Sequence, residues 1–144
     1  MTYRVCLVCM GNICRSPMAE VVLRQKLADQ GLAGRVSVES SGTGGWHEGD
    51  PMDERALRTL AENGYDGSAH RARQFRADDY DLVLVMDKEN LRNLRRMAPE
   101  VEAELFDPQG EVPDPYYDGR FLPVLRQVEA AAEGVVKRIA DEIG

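Results

Sequence analysis

The stretch "VCLVCMGNICRSPMAE", from Val5 to Glu20, decides the fold of this chain and raises its functional question. The β-prone run Tyr3 to Val8 predicts a short buried strand. Glycine and asparagine follow, and Ser16-Pro17 then indicates the start of a helix, with Ser16 at the N-cap or in the first turn. Strand, loop and helix in this order are typical of a parallel α/β fold.

The rest of the chain continues this alternation of strands and helices. Further strands are predicted at about 35–42, 80–87 and 101–106, and helices at about 16–30, 51–63, 88–97 and 120–143. The run "YDLVLVMD" (80–87) is almost continuously apolar, as expected for a central parallel strand. We therefore predict a three-layer α/β/α sandwich with a central, mainly parallel four-stranded sheet, built as a single domain over residues 1–144.

Composition and charge exclude several classes of protein. A formal net charge of −7 argues against a nucleic-acid-binding surface, although a local pocket on an acidic protein can still be positive. No apolar run approaches the ~20 residues of a membrane span, so no membrane partner is expected. The N-terminus has no secretion-signal pattern, which predicts a cytoplasmic protein with reduced thiols. A monomer is expected.

The three clustered cysteines allow three interpretations. A closed metal site needs a fourth ligand, and the only histidines, His47 and His70, are far away in sequence. Cys6 and Cys9 should also point to opposite sides of a strand, so no metal is predicted. A thioredoxin-like pair would place "CLVC" at a helix N-terminus, whereas here it lies at the end of a strand.

The third interpretation is a loop built around one reactive thiolate. A loop between strand and helix can direct backbone N–H groups at an anion, and the helix N-terminus adds partial positive charge. Gly11 permits a positive φ in the curve. Arg15 can bind two oxygens of a tetrahedral oxyanion, and Ser16 can donate a hydrogen bond to the Cys9 thiolate. The pattern predicts a phosphate-binding loop after the first strand, with Cys9 at its floor.

Two separated motifs give the chain a family resemblance. "CMGNICRSP" near the N-terminus and "DPYYDG" (114–119) near the C-terminus resemble the signatures of low-molecular-weight protein tyrosine phosphatases. "SAHRARQF" and "LVMDKENLRNL" are similar to internal stretches of the same family. The resemblance spans nearly the whole chain. It implies hydrolysis of phosphotyrosine-containing proteins or aryl phosphates, with inorganic phosphate as product and no cofactor.

The resemblance also implies residue roles. Cys9 would be the nucleophile that forms a cysteinyl-phosphate, Arg15 would bind phosphate, and Asp114 would act as general acid and then as base. A phenolate is a poor leaving group unless it is protonated as it departs, which independently requires such an acid. The phosphate-binding loop would comprise Met10, Gly11, Asn12, Ile13, Cys14 and Ser16, with Ser40 and His70 as supporting residues.

Some interpretations remain open at this stage. Trp46, Tyr116 and Tyr117 are expected at the substrate entrance; the less favoured alternative for Trp46 is a partly buried side chain that pins its own loop. Cys14 is either a partner for a protective disulfide with Cys9, by family resemblance and proximity, or a buried thiol behind the loop. Asp114 alone is also typical of a turn, since Asp-Pro often begins one.

Related functions on this scaffold are less favoured by the sequence. An arsenate reductase passes oxidising equivalents to further cysteines, and no cysteine follows Cys14. In arginine phosphatases the resemblance implies a threonine where this chain has Ile13, and the paired tyrosines are usually absent. A non-catalytic phosphate-binding module would lack the nucleophile, the arginine or the acid, and all three are present.

Overall fold

The computed structural model describes residues 2–144, which form four strands and four helices. In chain order these are β1 (Tyr3–Cys9), α1 (Arg15–Asp29), β2 (Val36–Gly42), α2 (Glu54–Glu62), β3 (Leu82–Val85), α3 (Lys88–Met97), β4 (Glu104–Leu105) and α4 (Phe121–Ile143). Among residues 2–144, no helix is long and apolar enough to cross a membrane.

The four strands form one sheet in the order β2-β1-β3-β4, and every pairing between them is parallel. Strand β1 lies inside the sheet between β2 and β3, and Val5 to Val8 are fully buried. The register pairs Cys9 with Gly42, so the ends of β1 and β2 meet at the same edge. Because ligands bind beyond the carboxyl ends of parallel strands, this edge is where a site is expected.

Alternation along β1 separates two hydrophobic cores and so creates three layers. Val5, Leu7 and Cys9 face a core shared with α1, α2 and α4. Cys6 and Val8 face the opposite core, which contains Leu94 and other residues of α3 and its surroundings. The predicted α/β/α sandwich is confirmed, as is the prediction that Cys6 and Cys9 point to opposite sides of the strand.

Several predicted boundaries were wrong, and capping explains most of the differences. Helix α2 begins at Glu54 rather than at about residue 51, because the Asp53 side chain accepts a hydrogen bond from the Arg55 amide (2.8 Å) and so caps the helix. Strand β3 is four residues long because Asp87 has left the ladder to cap α3. The fourth strand is reduced to Glu104–Leu105.

The start of α1 also differs from one of the two placements predicted for Ser16. The helix begins at Arg15, with Cys14 at the N-cap position, so Ser16 lies in the first turn and is not the cap. The cap residue makes no side-chain hydrogen bond. The N-terminal amides of α1 therefore lack a side-chain cap, next to the loop that carries Cys9.

Candidate active site

Cys9 is the last residue of β1, and its sulfur has hydrogen-bonding partners in the segment that follows. The Cys9 Sγ lies 3.0 Å from the Ser16 Oγ and accepts the Asn12 N–H at 3.3 Å. Only 3% of Cys9 is exposed. Donors aimed at a sulfur stabilise its thiolate form, which is the nucleophilic form.

The loop between β1 and α1 (residues 10–14, the β1–α1 loop) is held in place by hydrogen bonds that its carbonyl groups accept. Three neighbouring backbone amides bond to carbonyls of Cys9 and this loop: Thr43 to Cys9 (2.9 Å), Gly44 to Met10 (2.9 Å) and Asp53 to Ile13 (2.9 Å). In a trans peptide the following N–H points opposite to the carbonyl. The N–H groups of Met10, Gly11 and Cys14 are therefore turned away from these outer partners, toward the inside of the loop.

The positive φ expected in this loop belongs to Asn12 (57°) and not to Gly11, so the prediction for Gly11 was wrong. Asparagine tolerates the left-handed region better than most residues. At Gly11 the constraint is space, because an added Cβ would lie 3.2 Å from the His47 Cδ2. Gly42 is more restricted still, since its Cβ would lie 2.6 Å from the Met10 carbonyl oxygen.

Asn12 is fully buried and all its polar groups are bonded. Its Nδ2 donates to the Oγ atoms of Ser16 (2.9 Å) and Ser40 (3.0 Å), and its Oδ1 accepts the Arg73 N–H (3.0 Å). Its carbonyl accepts from the His70 Nε2 at 2.7 Å. These bonds fix the left-handed turn from three directions, which holds the Asn12 N–H against the Cys9 sulfur.

Ser40 and His70 are both hydrogen-bonded to Asn12 of the loop, and they share a neighbour that the sequence analysis missed. The Ser40 Oγ donates to the Glu20 Oε1 (2.6 Å), and the His70 Nδ1 lies 4.0 Å from the same oxygen. Burial lowers the pKa of His70, and the bond to Asn12 and the Glu20 carboxylate only partly oppose that shift. His70 therefore remains a neutral donor to the loop near neutral pH.

Arg15 is the first residue of α1 and is 3% exposed. Its Nη1 donates to the Asp87 Oδ2 (2.6 Å) and to the Val112 carbonyl (3.0 Å). Burial by itself lowers the pKa of Arg15, but Cys9 and the Asp87 carboxylate outweigh burial and the net pKa is raised. A fixed cation therefore lies beside the nucleophile candidate.

Asp87 was not singled out by the sequence analysis, although a polar residue at the end of a central parallel strand is a signal for it. Its Oδ1 accepts the Asn90 N–H (2.7 Å) and caps α3, while its Oδ2 binds Arg15. The Asn90 side chain accepts the Asp87 N–H in return at 3.3 Å, which completes a capping box. The capped end of α3 thus orients the guanidinium.

Asp114 lies in the segment between β4 and α4. Its Oδ2 is 3.7 Å from the Arg15 Nη2, and its Oδ1 accepts the Tyr116 N–H at 3.0 Å. The side chain is 27% exposed. Asp114 is therefore both a turn residue and a member of the site, so the two alternatives are compatible.

One cavity of about 170 Å³ brings most of the predicted residues together. Cys9, Arg15 and Asp114 line it. The other residues that line it are Met10, Gly11, Ile13, Cys14, Trp46, His47, Tyr116 and Tyr117. Asn12, Ser16, Ser40 and His70 do not line the cavity and act through their bonds to the loop. Cys6 belongs to the opposite core, where burial raises its thiol pKa to about 11.

The aromatic residues lie at the mouth of the cavity and remain largely exposed. Trp46 is 65% exposed and Tyr117 is 80% exposed. The rings of Tyr116 and Tyr117 pack edge to face, with their centroids 5.1 Å apart. Beside Trp46, the His47 Nδ1 lies 3.1 Å from the Asp50 Oδ2. The Trp46 ring also packs against the backbone of Gly44 in its own loop, so the structure leaves both interpretations of Trp46 open.

Comparisons with known proteins show that this chain belongs to the phosphatases. The family described as low molecular weight phosphotyrosine protein phosphatase matches residues 4–143. A low molecular weight protein-tyrosine-phosphatase of Streptomyces coelicolor is 47% identical, with 99% of this chain and 97% of that protein covered. The chain belongs to the low molecular weight phosphotyrosine protein phosphatase family, and it is therefore a hydrolase.

Solved structures agree with this assignment. The crystal structure of YfkJ from Bacillus subtilis superposes with a TM-score of 0.93 at 36% identity, covering 99% of this chain and 97% of that one. Wzb of Vibrio vulnificus, solved in complex with benzylphosphonate, superposes with a TM-score of 0.86 at 30% identity, covering 96% and 99%.

Proposed function

We propose that this enzyme hydrolyses phosphotyrosine in proteins through a cysteinyl-phosphate intermediate, releasing inorganic phosphate. The observation that carries the proposal is that Cys9, Arg15 and Asp114 line one cavity with aromatic side chains at its mouth. These three groups supply a nucleophile, a binding site for the phosphate charge and a proton donor, which together suffice for covalent hydrolysis of a phosphate ester.

In the first step the Cys9 thiolate attacks phosphorus and a P–S bond forms. The bond between phosphorus and the phenolic oxygen breaks, and Asp114 gives its proton to the departing oxygen. In the second step water attacks phosphorus, Asp114 takes the proton from that water, and the P–S bond breaks. Phosphate leaves and Cys9 is again a thiolate, so no redox partner, metal or cofactor is required.

Arg15 is oriented for binding two phosphate oxygens. The two hydrogens of Nη1 are used by Asp87 and Val112. The edge formed by Nε and Nη2 therefore remains for a ligand, and this edge binds oxyanions in a bidentate manner. The inward N–H groups of the β1–α1 loop add further donors around the same position, where charge develops during transfer.

The contact between Arg15 and Asp114 supports the assignment of the acid. In the free enzyme the Asp114 carboxylate lies 3.7 Å from the Arg15 Nη2. An incoming phosphate dianion binds the same guanidinium and places negative charge beside the carboxylate. The carboxyl is therefore close to the phosphoryl group that Arg15 binds, where it can reach the leaving oxygen.

An aryl phosphate is the substrate class that fits the mouth of the cavity. Aromatic rings of Trp46, Tyr116 and Tyr117 provide apolar surface at a distance from the phosphate position, which a phenyl ring can contact. The relative Wzb binds benzylphosphonate, an aromatic phosphonate, which supports the same preference in this chain. A short alkyl phosphate such as phosphoserine would leave these rings without contact.

The test is a comparison of wild type, Cys9→Ser and Asp114→Asn with 4-nitrophenyl phosphate and with phosphotyrosine, phosphoserine and phosphoarginine peptides. We expect Cys9→Ser to be inactive and Asp114→Asn to lose about 10² to 10⁴ in kcat while still binding phosphate. Acid quenching with ³²P-labelled substrate should leave label on Cys9. Full activity of Cys9→Ser, or a preference for phosphoserine or phosphoarginine, would overturn the proposal.

A further inference from the structure

Arg55, on the first turn of α2, connects the two loops that carry the predicted catalytic groups. Its guanidinium lies 5.3 Å from the ring centroid of Tyr116 and 4.8 Å from that of Phe121. It also binds the Asp53 carboxylate at two points, Nε to Oδ1 (3.2 Å) and Nη2 to Oδ2 (3.0 Å). The sequence analysis gave this residue no role.

One side of this connection is attached to the β1–α1 loop. The Asp53 N–H donates to the Ile13 carbonyl (2.9 Å), and the Asp53 side chain caps α2. Burial acts to raise the pKa of Asp53, but the hydrogen bonds from Arg55 outweigh it and the net pKa is lowered. The ion pair therefore stays charged at neutral pH, and its position follows that of the β1–α1 loop.

The other side is attached to the segment Asp114–Gly119, the DPYYDG loop. Tyr116 donates its backbone N–H to the Asp114 Oδ1, so the position of the tyrosine and that of the carboxyl are linked. Phe121 is 3% exposed and begins α4 directly after the loop. The planar guanidinium lies against both rings, a geometry that favours attraction between cation and aromatic face.

The DPYYDG loop has few other attachments. Within residues 2–144, its hydrogen bonds connect only residues 114–121 to one another, as in Gly119 N–H to the Pro115 carbonyl (2.9 Å). Its outward contacts include the Asp114–Arg15 pair, the burial of Pro115 and the stacking on Arg55. An incoming phosphate competes for the first of these, which leaves Arg55 as a contact that persists when substrate is bound.

We propose that Arg55 is a positioning residue that holds the DPYYDG loop over the β1–α1 loop, so that the Asp114 carboxyl reaches the leaving oxygen. This inference rests on the proposed function, because it assumes that Asp114 is the proton donor. Loss of Arg55 impairs proton donation and leaves nucleophilic attack by Cys9 intact. The defect therefore depends on how much the leaving group needs a proton.

The experiment measures kcat/KM, which reports the steps up to formation of the cysteinyl-phosphate, for wild type, Arg55→Leu and Arg55→Lys. The substrates are phenyl phosphate, which has a poor leaving group, and 2,4-dinitrophenyl phosphate, which has a good one. We expect Arg55→Leu to lose roughly tenfold or more with phenyl phosphate and less than about threefold with the dinitrophenyl ester, since small misplacement of a proton donor is costly. Arg55→Lys keeps the charge without the planar two-point contact, and we expect an intermediate loss.

Arg58→Leu is the matched control, because Arg58 is exposed on the same helix and does not line the cavity. We expect it to behave as wild type with both esters. Melting temperatures monitor folding, and if Arg55→Leu does not fold, Arg55→Lys carries the test alone. Equal losses with the two esters, or a loss in Arg58→Leu that matches Arg55→Leu, would show a structural role only and overturn the inference.

Asp114→Asn in the same assay separates this inference from the proposed function. If Asp114→Asn shows the leaving-group-dependent loss and the folded Arg55 variants do not, the proposed function stands and the role of Arg55 is refuted. If Asp114→Asn itself shows no such dependence, the assignment of Asp114 as the proton donor in the proposed function is refuted.

Discussion

The β1–α1 loop and the DPYYDG loop line the same cavity, yet they are built in opposite ways. The first is buried at Asn12 and Cys14 and half-buried elsewhere. Its carbonyls bond to backbone or side chain from three distant segments, around Thr43, Asp53 and His70. The second is mostly exposed and its hydrogen bonds are local. The difference matches the functions proposed for the two loops: one would hold charge in a fixed geometry, and the other would admit and release an aryl group.

Among the residues that support the proposed catalytic groups, the largest effect is expected from breaking the β1–α1 loop at Asn12. Asn12→Ala removes the bonds to Ser16, Ser40 and the Arg73 amide and leaves a non-glycine residue at positive φ. We expect activity to fall by about 10² to 10³ and the free energy of unfolding by about 2–4 kcal/mol. The measurements are kcat/KM with 4-nitrophenyl phosphate and urea denaturation.

Asn12→Gly is the matched variant, because glycine adopts positive φ without strain but cannot restore the side-chain bonds. It should be more stable than Asn12→Ala and similarly inactive. Recovery of activity in the glycine variant would show that backbone shape matters in this loop and that the side-chain network does not.

The next largest effect is expected at Asp87, which orients Arg15. Asp87→Asn can still cap α3 through its Oδ1, but its amide would point a donor at the Arg15 Nη1. Loss of a charged hydrogen bond corresponds to about 1.5–3 kcal/mol, so kcat/KM should fall by about 10- to 100-fold. Inhibition by inorganic phosphate should weaken in parallel, and an unchanged inhibition constant would contradict the role of Asp87.

The pH dependence of stability tests His70, which is held neutral behind the β1–α1 loop. Because its pKa is lowered in the folded state, the unfolded chain binds the proton first as pH falls below about 6.5. The stability from neutral His70 is therefore present above that pH and is lost as pH falls through the lowered pKa. In urea denaturation, His70→Gln should show a smaller decrease between pH 7.5 and 5.5. An identical decrease in stability in wild type and His70→Gln would exclude His70 as a source of the pH dependence.

The smallest effects are expected at the exposed mouth of the cavity. Trp46→Ala or Tyr117→Ala should raise KM for aryl phosphates about two- to fivefold with kcat almost unchanged, since a lost aromatic contact is worth about 0.5–1.5 kcal/mol. Stability should stay within about 0.5 kcal/mol because the side chains are exposed. Leu122→Ala, which is also exposed but outside the cavity, is the control. A large loss of stability in Trp46→Ala would make it a structural residue.

The local sequence pattern was sufficient to predict those parts of the structure that depend on residues close together in sequence. The apolar strand, the glycine and asparagine and the Ser-Pro start of α1 predicted the strand–loop–helix unit, and Cys9 and Arg15 were placed within it. Even there, the pattern assigned the positive φ to Gly11 when it belongs to Asn12. Glycine permits that conformation, but only the bonds from Ser16, Ser40, His70 and Arg73 select the residue that adopts it.

Tertiary structure alone decided the contacts between segments that are far apart in the chain. Asp87 reaches Arg15 across 72 positions of sequence, and Glu20 meets Ser40 across 20. Arg55 meets Tyr116 only because the fold brings α2 next to the DPYYDG loop. A sequence by itself determines which groups can act, here the thiol, the guanidinium and the carboxyl. Their orientation depends on packing between elements, because each is held by partners that no local pattern contains.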